Sequence, residues 1–233
     1  MHQRLVVALD GTRLELADKV GLGFKGLGDH QQAARVLVEP MHDACAGQLT
    51  ETGAVMQQRS EPHDSLDFFP TPPWATRALC EHLAGLEAVE AMTAWDPACG
   101  QGDMVRPLRE YFARVYATDV HNYGGEQQSV KDYLVRWDRL PVIEAQGVDW
   151  IITNPPFRLA EEFALTAITE ARVGVAFFVR SAFLEGRGRL ERLFSKHPPA
   201  QILQFAERVP LVKGRVDKDA ASATAYCWIV WLR

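Results

Sequence analysis

Cysteine is scarce in this chain and shows no pattern. The four residues, Cys45, Cys80, Cys99 and Cys227, lie far apart, and no C-x-x-C pair occurs. That excludes a disulfide framework and argues against a zinc knuckle, and it fits a reduced, cytoplasmic setting with no metal. Long apolar runs are missing too. The longest near the C-terminus, Ala225 to Leu232, is too short to cross a bilayer, and Leu5 to Leu9 near the N-terminus does not make a signal h-region with a cleavage site. The chain therefore reads as not membrane-bound and not exported. Cations are in the minority, 25 Lys and Arg against 30 Asp and Glu, for a net charge of -5. This excludes a protein coated in phosphate-binding side chains.

The charge is unevenly spread. Residues 61–150 hold 7 Lys and Arg against 15 Asp and Glu, whereas residues 151–233 hold 12 against 8. A basic face beside an acidic half suits a binder of phosphate backbones that also holds a cationic small molecule, although ordinary solvated charge explains it as well. At 233 residues and 47% hydrophobic composition, one sizeable core is within reach.

From about residue 70 onward, apolar runs of strand length alternate with helix-like stretches, the pattern of a parallel α/β sheet. Pro72-Pro73 opens a helix through Trp74, Leu79 and Leu83. Strands are expected at Thr93 to Pro97, Arg114 to Val120, Ser129 to Leu134 and Val148 to Thr153, with a helix over Met104 to Phe112. A helix from Leu159 to Ala171, a strand from Val173 to Val179 and a helix from Arg187 to Lys196 follow, and strands near Gln201 to Ala206 and Thr224 to Leu232 close the pattern. Residues 1–60 do not continue the alternation and are read as an accessory region, with a polar, proline-containing linker from Gln57 to Asp67. Residues 61–233 form the expected main domain.

Two glycine motifs compete for a nucleotide. Gly21-Leu22-Gly23-Phe24-Lys25-Gly26 matches the dinucleotide fingerprint, but only about eight residues remain for the helix that the fingerprint needs, so it reads as a flexible loop. Asp96-Pro97-Ala98-Cys99-Gly100-Gln101-Gly102 is better placed, where a strand ends and a helix begins. Its small residues let backbone approach a ligand closely, and Asp96 offers a carboxylate to an ammonium group. Asp119 ends the next strand, placed to accept hydrogen bonds from two ribose hydroxyls. A nucleoside-bearing cofactor follows, either NAD or S-adenosylmethionine.

Asn154-Pro155-Pro156-Phe157, at the end of the Val148 to Thr153 strand, separates the two. An exocyclic amine conjugated to a ring is a poor nucleophile. Two acceptors aimed at its hydrogens, the Asn154 side-chain oxygen and the Pro155 carbonyl, would supply electron density as a methyl group arrives. The prolines fix the loop, and Phe157 offers a face on which a flipped-out base stacks, worth roughly 1–3 kcal/mol. His42 and Cys45 have ligand-like spacing but no second pair, and Cys99 faces the cofactor loop rather than a catalytic one, which leaves no cysteine nucleophile.

With these motifs in this order, residues 67–232 resemble the class I S-adenosylmethionine-dependent methyltransferases of the amino-methylating group, and most of all DNA N6-adenine methyltransferases of the phage or prophage type. Phe68-Phe69-Pro70-Thr71-Pro72-Pro73 resembles the family's cofactor-carboxylate motif, the Asp96 to Gly102 loop its D-P-x-C-G-x-G, Lys131-Asp132-Tyr133-Leu134 its D-F-L segment beside the cofactor adenine, and the tetrapeptide its catalytic N-P-P-F. The resemblance implies a Rossmann-like, doubly wound, seven-stranded sheet with the last strand antiparallel. It implies S-adenosylmethionine held by Thr71, Asp96, Ala98, Gly100, Gly102, Asp119, Asp132 and Tyr133, and methyl transfer at Asn154, Pro155, Pro156 and Phe157. No target-recognition domain fits between Asp132 and Asn154 or after the last strand, so contacts to DNA fall to Arg187, Arg189 and Arg192, to Lys213, Arg215 and Lys218, and to the first sixty residues. Such phosphate contacts imply little or short sequence specificity. Methylation of adenine N6 or guanine N2 in RNA, of a protein glutamine, and a non-catalytic nucleic-acid binding module remain open alternatives.

Overall fold

A computed structural model of the chain describes residues 5–8, 68–138, 140–217 and 224–233. The Gly21 to Gly26 fingerprint, the His42 and Cys45 pair, the linker from Gln57 and Lys218 lie outside them.

Strand β1 (Leu5–Ala8) is followed by helix α1 (Pro73–Ala84), which starts on a proline whose missing N–H costs nothing in a first turn. Then come β2 (Thr93–Asp96), α2 (Val105–Leu108), β3 (Arg114–Asp119), β4 (Ser129–Val130), α3 (Pro141–Gln146) and β5 (Val148–Thr153). The chain closes with α4 (Ala160–Glu170), β6 (Ala171–Arg180), α5 (Arg187–Arg189), β7 (Gln201–Phe205) and β8 (Tyr226–Leu232).

These strands form one sheet in the order β1-β7-β8-β6-β5-β2-β3-β4. Strands β2 to β6 pair in parallel, and β8 inserts antiparallel between β6 and β7. The seven strands β2 to β8, with the last one reversed, are the Rossmann-like arrangement that the sequence leads one to expect. The eighth is β1, which pairs antiparallel with β7 through Leu5 opposite Phe205 and Ala8 opposite Ile202. Its partner lies at the other end of the chain, so local alternation could not reveal it.

Side-chain alternation sorts the strands onto two faces. Ala94, Trp150, Ile152, Ala176, Phe178, Trp228 and Val230 point to one side, where Leu79 and Leu83 of α1 and Val105 and Leu108 of α2 cover them. Trp95, Ile151, Val175, Phe177, Ile229 and Trp231 point to the other, under Phe163, Ala164 and Ala167 of α4. Helices on both faces leave the carboxyl ends of β2, β3, β5 and β6 along one open edge, where ligands bind in such folds.

Some elements are shorter than expected, for local reasons. The helix expected over Met104 to Phe112 regularises only at Val105–Leu108, because Pro107 has no N–H to donate and Glu110 and Tyr111 return to turns onto Pro107 and Leu108. The strand expected to Leu134 stops at Val130, since the Asp132 carboxylate takes the Leu134 N–H at 3.0 Å and bends the chain. After Arg189 the helix widens into a π turn over Leu190–Phe194, where Ser195 N–H reaches the Leu190 carbonyl at 2.8 Å. Helix α3 was not expected at all.

Candidate active site

Two carboxylates and an amide stand at the ends of adjacent parallel strands. Asp96 ends β2 and is only 1% exposed. Its Oδ1 accepts hydrogen bonds from the Thr153 hydroxyl at 2.7 Å and the Ala98 N–H at 3.3 Å. Its Oδ2 is buried without a partner among the described residues. Burial pushes this carboxyl up to about 7, against the pull of the Thr153 and Ala98 donors. A buried acceptor with an unused lone pair suits a cationic ligand.

Asp119 ends β3. Its Oδ2 accepts the Gly100 N–H at 2.9 Å and its Oδ1 the His121 N–H at 3.0 Å, which leaves further lone pairs on both oxygens. Burial raises its pKa, opposed by those N–H groups. The Gly100 bond joins the carboxylate to the glycine loop, and a second tie runs from Cys99 N–H to the Thr118 carbonyl at 3.0 Å. Gly100 and Gly102 have φ of 54° and 88°; a Cβ on the first would overlap the Phe68 ring and on the second the Glu126 side chain. No other residue type fits either position. Cys99 is buried and its thiol is pushed up by burial and by Asp96, so it is inert as a nucleophile.

Asn154 follows β5, and its amide is fixed from two sides. Nδ2 donates to the Phe69 carbonyl at 2.8 Å and to the Thr71 hydroxyl at 3.0 Å. A carbonyl only accepts, so the nitrogen must face Phe69, and a flipped amide would set two oxygens against each other. Both N–H hydrogens are thereby used, and Oδ1, which bonds to none of the described residues, remains as the acceptor. Thr71, 2% exposed, was expected to hold a cofactor carboxylate; its hydroxyl oxygen orients Asn154 and its O–H hydrogen stays available to donate. The Phe157 ring lies 5.3 Å from that of Phe69, centroid to centroid, and 6.5 Å from that of Tyr226. The Arg180 guanidinium sits 4.0 Å over its centre. Segment Phe68 to Thr71 thus touches the glycine loop with its first ring, Phe157 with its second, and Asn154 with a carbonyl and a hydroxyl.

The remaining expected residues are placed less uniformly. Ala98 lies in the glycine loop. Asp132 is partly buried beside β4, while Tyr133 packs among the core rings of Trp95 and Phe163 at 5.1 and 4.8 Å. Pro155 and Pro156 continue the loop, and the Pro156 carbonyl starts the turn into α4 by accepting from Leu159 N–H at 2.9 Å. Arg187 pairs with Glu191 at 2.8 Å and Arg192 with Glu161. The Arg189 guanidinium bonds to the carbonyls of Ala182, Phe183 and Glu185. Arg215 pairs with Asp217 at 3.0 Å, and between it and Lys213 the Gly214 N–H reaches the Phe68 carbonyl at 3.0 Å, so this loop borders the site.

The sequence did not reveal that Tyr123 packs against both Phe68, at 4.6 Å between ring centroids, and His121, at 4.8 Å, nor that Val120 after Asp119 is 61% exposed. Among the described residues no group of His, Cys, Asp or Glu could hold a metal ion, and no helix is long and apolar enough to cross a membrane.

No family model matches the chain, and no curated protein matches its sequence. Solved structures do. A protein from Listeria monocytogenes assigned as a class I S-adenosylmethionine-dependent methyltransferase superposes with a TM-score of 0.52 at 13% identity, over 72% of this chain and 62% of that one. The chain therefore spans less than two thirds of that protein. The magnesium protoporphyrin IX methyltransferase of Synechocystis PCC 6803 gives 0.48 at 12% identity over 69% and 79%. A modification subunit assigned to a type I restriction enzyme of Vibrio vulnificus YJ016 gives 0.46 at 16% over 71% and 44%. At such identities the likeness is one of fold, and the fold is that of the class I methyltransferases.

Proposed function

We propose that the chain transfers a methyl group from S-adenosylmethionine to the N6 amino group of adenine in DNA, with little or short sequence specificity. The observation that carries this reading is the Asn154 amide, whose two hydrogens are spent on Phe69 and Thr71 so that its oxygen is left to accept. An amine conjugated to a ring needs such an acceptor, held in place before the reaction.

The cofactor fits the residues at hand. The unpaired Oδ2 of Asp96 takes its ammonium, Asp119 takes the ribose hydroxyls, and the left-handed backbone at Gly100 and Gly102 admits close approach. Thr71, Ala98, Asp132 and the main chain at Tyr133 complete its surroundings in the proposed assignment. When bound, S-adenosylmethionine supplies a methyl group on a sulfonium sulfur. The chain's own work is positional: Phe157 stacks the flipped base, Asn154 Oδ1 and the Pro155 carbonyl receive the two amine hydrogens, and Pro155 and Pro156 hold that loop rigid. The nitrogen that gains the methyl loses its proton to water, and no covalent bond to the chain forms. DNA contacts fall to the loop of Lys213 and Arg215, to Arg187 and Arg189, and to the first sixty residues as an accessory region.

Labelled S-adenosylmethionine is incubated with duplex DNA, single-stranded DNA, ribosomal RNA and a protein extract, followed by nucleoside and peptide mass spectrometry. The expected product is N6-methyladenine in DNA. Label confined to RNA or to glutamine refutes the adenine-in-DNA reading, and undiminished turnover by Asn154→Ala removes Asn154 from the chemistry.

A further inference from the structure

We infer that Arg180 is a binding residue for the backbone phosphate beside the target nucleotide, and that it vacates its seat on Phe157 as the base takes that place. The inference rests on the reading that a nucleobase stacks on Phe157.

Arg180 is the last residue of β6, opposite Tyr226 of β8, on the carboxyl edge that also carries Asn154. Its root is held firmly. The next residue, Ser181, donates its N–H to the Ala225 carbonyl at 2.9 Å and its hydroxyl to Gln204 Oε1 at 2.8 Å. The side chain beyond that root is exposed, and its guanidinium rests 4.0 Å above the Phe157 ring centre.

Unlike the arginines that pair with carboxylates, Arg180 rests its cation on an aromatic ring. Arg77, Arg109, Arg172, Arg187, Arg192 and Arg215 each pair with a carboxylate, whereas Arg180 forms no ion pair among the described residues. It cannot shed its charge, because a guanidinium stays protonated at any ordinary pH. A permanent cation with no ion pair among the described residues, on a fixed root beside the face that a base would occupy, suits an anionic ligand.

The exchange is favourable on general grounds. A planar guanidinium on a ring uses the same face, at a similar separation, as a stacked base. A base on an aromatic ring outweighs an exposed cation–π contact, so the base displaces it. A base that enters this seat carries phosphates on either side of its sugar, and the long arginine side chain meets one at the rim with a planar fork of donors that matches phosphate oxygens. Base entry and phosphate capture then occur together. A glutamine side chain of a neutral peptide offers no such anion, so Arg180 also favours nucleotides over protein.

The test pairs the residue with the charge. Wild type, Arg180→Ala and Arg180→Lys are assayed on an adenine-containing oligonucleotide, and on the same oligonucleotide with neutral methylphosphonates flanking each adenine. Wild type is expected to lose roughly tenfold or more in kcat/KM on the neutral substrate, as for a lost charge-assisted hydrogen bond. Arg180→Ala should be slow on both substrates alike, and Arg180→Lys should keep part of the discrimination, all three binding S-adenosylmethionine equally. If Arg180→Ala loses the same factor as wild type when the phosphates are neutralised, or if wild type does not discriminate, Arg180 is not the phosphate ligand. If wild type methylates no oligonucleotide but does label protein, the stacked-base reading itself fails, and this inference with it.

Discussion

Replacing Thr71 by valine tests the orientation of the amide proposed to be catalytic without touching Asn154. The substitution keeps the shape of the side chain and removes the hydroxyl that accepts from Nδ2 at 3.0 Å. Thr71 is 2% exposed, so water does not take the hydroxyl's place, and one amide hydrogen is left without an acceptor. Such an unpaired donor costs about 1–3 kcal/mol. The amide keeps its bond to the Phe69 carbonyl but loses that much of its bias toward the productive setting. If the whole of it appears as misorientation, turnover falls by roughly 5- to 150-fold, since 1.4 kcal/mol is a factor of ten; a tenfold fall in kcat is the expected result. Steady-state methylation at saturating cofactor, with cofactor affinity measured by calorimetry, separates the possibilities. Thr71→Val should lower kcat even at saturating cofactor, whatever cofactor affinity is lost with the same hydroxyl, and Thr71→Ser should restore the rate. A weakened cofactor with kcat intact at saturation would refute the orienting role and return Thr71 to the cofactor alone.

Four further outcomes follow from the site and the core. Burial raises the Asp96 carboxyl from 3.8 to about 7, and a bound ammonium favours its ionised form, so cofactor affinity should be full above pH 7 and weaken about tenfold per unit below it; calorimetry in buffers of different ionisation enthalpy should show proton release on the acid side, and a pH-independent affinity would contradict this. The same raised value means that this carboxyl's contribution to folding is complete below 3.8 and is lost as pH rises through about 7, so Asp96→Asn should gain stability relative to wild type at alkaline pH in urea titrations. Gly100→Ala should cost about 1–2 kcal/mol for its left-handed backbone alone, with a further penalty from the Phe68 ring, and should abolish cofactor binding; an unchanged urea midpoint would show that the loop yields freely. Trp228→Phe removes a buried indole that donates to the Ala75 carbonyl at 3.0 Å and should destabilise by about 2 kcal/mol, read from the same titration.

The strands that carry the site were legible because each is a buried run ending in a polar residue. Val148 to Thr153 matches its observed bounds, and Asp96 and Asp119 close β2 and β3 as their place in the pattern implied. Elements that depend on distant partners were not legible. Leu5–Ala8 has an ordinary apolar pattern, and only β7 makes it a strand. Pro107 shortened a helix whose apolar spacing promised more. Within the site, the residue types of Asn154 and Phe157 were informative, but the hydrogen bonds that aim Asn154 come from Phe69 and Thr71, far earlier in the chain. Likewise the positive charge of Arg187 and Arg189 was visible, whereas its engagement by Glu191 and by main-chain carbonyls depends on how the chain turns after β6.

The bond from Asn154 to the Phe69 carbonyl belongs to the main chain, and its effects reach beyond the site. Exchanging the side chain at position 69 alters the ring beside Phe157 but leaves that oxygen in place, so half of the amide's anchoring passes unseen through any scan of single substitutions. A survey of that kind would rank Thr71 and overlook its equal partner. The same property shelters the site from mutational drift: residue 69 can vary in kind while the carbonyl goes on aiming Asn154, provided that Pro70 keeps the preceding residue extended.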